Sequence, residues 1–261
     1  MKTNKSNQQP AFARLRPGRR VTNGRTDPAG AERSGHASRV SRHASAFTLL
    51  ELLTVIGIIV VIAALLLPVG SIVKQRAVIR ATQAQMAQLE TAIDRYKSAY
   101  GFYPPCNTNN PMINPLYFEL LGTTNINGTY QTLDGNTTIP AISVSPAFDA
   151  SIGGFINCSR TNADESTPRG QDFLPDLKPN QIAQNITNNT VLVTLLVASA
   201  GGPDPSYQPL GQQDVNPWRY NSSNPTNNPG SYDLCIQLKI AGKTNLICNW
   251  SKQVQINSPL P

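Results

Sequence analysis

Histidine is nearly missing from this chain: His36 and His43 are its two copies, and residues 44–261 carry no imidazole at all. That long stretch therefore holds no Ser-His or Cys-His pair for nucleophilic catalysis. The four cysteines, Cys106, Cys158, Cys235 and Cys248, show no CxxC spacing, which together with the missing histidine argues against a zinc site. A glycine-rich phosphate loop is absent as well. Charge is scarce, at 14% of residues, and acidic pairs such as Asp164-Glu165 sit in loop-like sequence that reads as solvated. These absences point away from an enzyme, a metal centre and a resident cofactor.

What is present begins with an apolar run. From Phe47 to Leu67 there are 21 residues in which Glu51 is the only charge. At 1.5 Å per residue such a run is long enough to cross a hydrocarbon core of about 30 Å, so it reads as a membrane span. It is too long for the apolar core of a cleaved secretory signal. An ionised carboxylate costs roughly 2.5–3.5 kcal/mol or more at a bilayer centre, so Glu51 calls for a partner.

Residues 1–46 carry ten Lys/Arg against Asp27 and Glu32, and their removal turns a formal charge of +7 into −1. By the positive-inside rule that side is expected to be cytoplasmic, with the later residues on the far side of the membrane. The leader is rich in Arg, Ser, Gly and Pro without apolar periodicity, a disorder-like composition. A near-neutral remainder has no electrostatic footprint for nucleic acid.

The string Ala46-Phe47-Thr48-Leu49-Leu50-Glu51-Leu52-Leu53 resembles the class III signal peptide of type IV pilins and type II secretion pseudopilins. The resemblance implies that a prepilin peptidase cuts between Ala46 and Phe47 and that Phe47 is N-methylated. Ala46 stands where the family more often has Gly. Glu51 then falls at the family's glutamate position, and Pro68 where many pilins carry a helix-loosening proline. In that family the glutamate pairs with the N-terminal amine of a neighbouring subunit, which implies an assembly role for Glu51. A leader of 46 residues is long for the family, and a start at Val40 would leave a short one.

Beyond the apolar run, Ile72, Ile79, Met86, Leu89, Ile93, Tyr96 and Tyr100 recur along one helical stripe. Gly101 and Pro104-Pro105 mark its end. One helix is therefore expected from about Phe47 to Tyr100, with Gly57, Pro68 and Gly70 as weak points. The run Tyr96-Lys97-Ser98-Ala99-Tyr100-Gly101-Phe102-Tyr103-Pro104 is similar to the end of the long helix in major pseudopilins.

From Pro104 onward Asn, Pro, Thr and Gly dominate. Pro115 to Gly122 reads as a short helix, and Val191 to Ala198 fits strand or helix. Tyr232 to Ile240 alternates as a strand, Ala241-Gly242-Lys243 turns, and Asn245 to Trp250 returns antiparallel, giving a hairpin that would pack on the helix stripe. The four cysteines allow three disulfide pairings; the two hairpin arms favour Cys235 with Cys248, leaving Cys106 with Cys158, and the alternative is four buried free thiols. The hairpin resembles the C-terminal region of major pseudopilins, whose acidic loop binds calcium. Here no Asp or Glu lies between Ile240 and Trp250, only Asp233 and Asn249 remain as isolated oxygens, and calcium is not expected.

The combined expectation is an α+β, pilin-like fold: one long N-terminal helix whose C-terminal half packs on a small antiparallel-sheet head rich in loops. Its parts are a removed basic leader at 1–46, a transmembrane and filament-core half at 47–73, an amphipathic half at 74–103 and an exported head at 104–261. The resemblance implies a non-enzymatic subunit of the bacterial inner membrane with its head periplasmic or extracellular. It would be processed by prepilin peptidase and polymerised with other pilin-like subunits, at an inner-membrane assembly platform, into a type II secretion pseudopilus. A type IV pilus or DNA-uptake pilin is the alternative, and a membrane-anchored binding protein that never polymerises is a second.

Overall fold

The computed structural model describes residues 47–66, 69–160, 169–198 and 207–260. Two units, Met1–Leu53 and Thr54–Pro261, divide the chain. The leader with Ala46, the Leu67-Pro68 pair, the Asp164-Glu165 pair and the Gly201-Gly202 pair lie outside the described residues.

The expected single helix from Phe47 to Tyr100 is not what forms. Helix α1 spans Leu49–Leu66 and helix α2 spans Val69–Tyr100, on either side of Pro68. Proline lacks the N–H that would continue the backbone ladder, its ring clashes with the carbonyl four residues back, and it disfavours helical dihedrals in the residue before it. The division also shortens the apolar element. At 18 residues, α1 is about 27 Å long. No helix among the described residues is long and apolar enough to cross a membrane, which overturns the expected single-pass inner-membrane placement.

The rest is built from short elements. Helix α3 (Leu116–Leu121) ends at Gly122, whose φ of 71° and N–H bond to the Phe118 carbonyl close it. A four-stranded sheet follows in the order β3-β2-β1-β4, with β1 Thr123–Ile126, β2 Thr129–Thr132, β3 Thr138–Pro140 and β4 Cys158–Arg160. Between β3 and β4 lies helix α4 (Ala141–Ala147). This sheet is mixed, because β4 runs parallel to β1, where an all-antiparallel head was expected. Strands β5 (Ile182–Asn188) and β6 (Val191–Leu196) pair by themselves, so the ambiguous Val191 segment is a strand. The last sheet has the order β10-β9-β8-β7, with β7 Arg219–Asn221, β8 Asp233–Ile240, β9 Lys243–Cys248 and β10 Ser251–Ile256.

The β8–β9 hairpin turns at Ala241-Gly242, with φ of 50° and 75°. Two positive φ values in a two-residue loop match the right-handed twist of the strands. Leu234, Ile236, Leu238 and Ile240 lie on one face of β8 and join the main core, as the alternation requires. Against them sits the apolar stripe of α2: Leu89, Ile93 and Tyr96 are buried, and Ile79, Met86 and Tyr100 pack at the edge, whereas Ile72 is exposed. Helix α2 ends at Tyr100, where Gly101 takes a φ of 85° and its N–H bonds the Lys97 carbonyl. With Ile93 wholly buried, Ile93→Ala is expected to lower unfolding free energy by roughly 2–5 kcal/mol, read from urea denaturation of the full chain.

One polar cluster crosses this core. Glu119 of α3 is wholly buried; its Oε2 accepts from the Tyr96 hydroxyl at 2.9 Å and the Asn157 N–H at 3.0 Å, and its Oε1 from the Ile156 N–H at 2.9 Å. The Asn157 side chain donates to the Glu119 and Gln171 carbonyls and accepts from the Tyr100 hydroxyl and the Gln171 N–H. Burial pushes the Glu119 carboxyl up to about 6, against the pull of its three donors. The folded chain then holds this proton more tightly than the unfolded chain, so the stability it contributes is full below about pH 4.5 and is lost as pH rises through about 6. Unfolding free energy from this group should fall by about 2 kcal/mol between pH 4.5 and pH 7. Glu119→Gln, followed by urea titration at both values, should flatten that fall.

Candidate functional site

The N-terminal turn of α1 holds the residues that the sequence singles out. Thr48 caps the helix: its Oγ1 accepts from the Glu51 N–H at 3.2 Å, while Glu51 Oε2 accepts from the Thr48 N–H and hydroxyl, each at 2.9 Å. The Leu52 N–H bonds the Thr48 carbonyl at 3.2 Å, the first turn of the ladder. This is a reciprocal capping box, which satisfies donors that a helix start leaves without intrahelical partners. A carboxylate there also faces the positive end of the helix dipole. Glu51 thus has an intramolecular role that the membrane-cost argument missed. The signal was in plain view, since Thr-x-x-Glu before an apolar run is the sequence form of this box.

The rest of α1 offers apolar side chains on every side. From Phe47 to Ile62 the large hydrophobic residues are between 46% and 83% exposed, with Val55 lowest and Leu49 highest. Monomers rarely leave contiguous apolar surface of this kind uncovered. The helix is also rich in Val and Ile, whose β-branched side chains lose rotamer freedom in a helix. Gly57 at its middle would meet nothing within 4 Å if it carried a Cβ. A short helix of this composition draws its stability from packing more than from propensity.

The cysteines fall into separate surroundings. Cys235 and Cys248 are directly opposed on β8 and β9, in a small cluster with Leu246, Trp250 and Leu260. Cys106 lies against Ser223 and Asn221, and Cys158 is on β4, so the expected Cys106–Cys158 bridge is not formed. All four are free thiols, and the favoured Cys235–Cys248 bridge is likewise open. Burial pushes the Cys235 thiol up to about 12 and raises that of Cys248, which keeps both from the reactive thiolate form.

The isolated oxygens of the hairpin are already engaged. The Asp233 carboxylate accepts from the N–H groups of Thr226, Asn227 and Asn228 and from the Asn227 side chain. Asn249 accepts from the Leu234 N–H and donates to the Tyr232 carbonyl. Among the described residues, no group of three or more His, Cys, Asp or Glu is placed to hold a metal ion.

No family model, curated protein or solved structure matches this chain.

If the capping box sets the start of α1, Thr48→Ala should cost about 0.5–2 kcal/mol of local helix stability. Hydrogen exchange of the Leu49–Leu52 amides should speed by a matching factor while exchange in β8 stays unchanged.

Proposed function

We propose that the chain is a pilin-like structural subunit, cut between Ala46 and Phe47 and polymerised through α1 into a filament of the secretion pseudopilus type. The observation that carries the reading is the combination at α1: an apolar surface exposed all round, begun by Phe47 and by Glu51 in its capping box. A helix that is apolar on every face is normally covered on every face. Copies of the same helix supply such a cover, and the resemblance of residues 46–53 to prepilin processing sites supplies the step that frees Phe47. The similarity of Tyr96 to Pro104 to the helix end of major pseudopilins favours secretion over surface pili. The head, fastened to α2 through Tyr96 and Glu119, would ride on the outside of the filament.

In a filament, the Glu51 charge of one copy would meet the Phe47 amine of the next within a low-dielectric bundle, where losing one partner of an ion pair costs several kcal/mol. Two substitutions separate this role from capping. Glu51→Gln keeps a capping-box side chain but removes the charge, whereas Glu51→Leu removes both. In the native host, mass spectrometry should find mature protein beginning at N-methylated Phe47, and formaldehyde cross-linking should give a ladder of multimers. Glu51→Gln should abolish the ladder while cleavage continues. An intact leader, or a ladder unchanged in both variants, sinks the reading.

A further inference from the structure

Two surfaces of the described chain are complementary in charge. The first is a groove of about 540 Å³ on the head, lined by Asp134, Asp172, Leu177 and Ile182, with the core residues Leu121 and Leu174 beneath them. Burial first, and then the nearby charges of Asp134 and Asp176, raise the Asp172 carboxyl above its ordinary range against the pull of the Leu174 N–H. Asp134 is instead held below its ordinary range, against burial, by the Thr132 hydroxyl and the Asn136 N–H and side-chain amide, so Asp172 is the acid that gains most from a cationic neighbour. None of the groove residues belongs to α2.

The second surface is the outer face of the first half of α2. Val73, Arg76, Ala77 and Arg80 lie three or four residues apart on one face of the helix (73 to 76 and 77, 76 and 77 to 80), and they are exposed, as is Lys74 beside them. Thr82, Gln85 and Leu89, which are buried, lie on the other side of the helix. No acidic residue occurs from Val69 to Leu89, so these cations have no acid on their own stretch of helix. This face offers one apolar side chain followed by two guanidinium groups a turn apart.

We infer that the groove of one copy receives this α2 face of the next, with Arg76 and Arg80 against Asp172 and Asp134 and Val73 beside the partly exposed Leu177 and Ile182. The inference rests on the reading of the chain as a filament subunit and adds to it the contact that sets one head against the next helix. Because the two surfaces differ, the contact is head-to-tail. Such contacts repeat without self-limiting unless the rotation closes a ring, so they build filaments.

Charge reversal tests it, with formaldehyde cross-linked multimers of the full chain in its native host as the readout. Arg76→Glu with Arg80→Glu touches side chains outside the core and should cut the multimer fraction several-fold by setting like charges together. Asp134→Lys with Asp172→Lys should do the same; a thermal melt of this variant checks that the head still folds, because Asp134 also binds Thr132 and Asn136. The chain carrying all four reversals should regain most of the multimers. If the fourfold chain is no better than either pair, or if only the helix pair matters, the helix face meets some other partner and the contact is overturned. Multimers unchanged in all three variants overturn the contact but leave the filament reading standing, since that reading fails only with the loss of multimers in the unaltered chain.

Discussion

The buried carboxylate of Glu119 is the interaction on which the head depends. Three donors from two places in the chain converge on it: the Tyr96 hydroxyl from α2 and the N–H groups of Ile156 and Asn157 from the loop before β4. A charge in a core is costly unless every lone pair is met, and a network that meets them admits few alternative packings. Glu119 therefore does more than an apolar residue of the same size. Its bond with the Tyr96 hydroxyl ties α3 to the same face of α2 that Leu89, Ala92 and Ile93 bury.

The two halves of α2 have different surroundings. Near its C-terminus, Leu89, Ala92, Ile93 and Tyr96 are sealed in the core, and Lys97 lies over the Tyr103 ring at 4.0 Å. Near its N-terminus, Val73, Arg76 and Arg80 stay exposed. The apolar α1 and the cationic start of α2 are thus the surfaces that the fold leaves over, and the acidic groove between α3 and β5 is the third. In the proposed filament these surfaces would meet one another.

Glu51 shows how one residue can answer two demands. Its carboxylate closes the capping box with Thr48, a local bond available in a single chain. A carboxylate so placed is held at the first turn of the helix, close in sequence to the Phe47 amine that processing would create. Capping and assembly are then not rival explanations, because the first orients the group that the second would use.

The elements legible in advance were those whose chemistry is local. The β8–β9 hairpin followed from alternation and a turn at Ala241-Gly242-Lys243, α3 from an apolar run stopped by Gly122, and the end of α2 from Gly101. The capping box is legible as well, in the Thr-x-x-Glu spacing from Thr48 to Glu51. The expected long helix appears as α1 and α2 on either side of the Leu67-Pro68 pair, where the sequence already marks a weak point. Only the packed chain decided the parallel pairing of β4 with β1, the strand form of β6, the convergence on Glu119 and the openness of all four thiols. Each of these joins residues far apart along the chain, and periodicity over a few residues carries no record of what a segment will meet across the core.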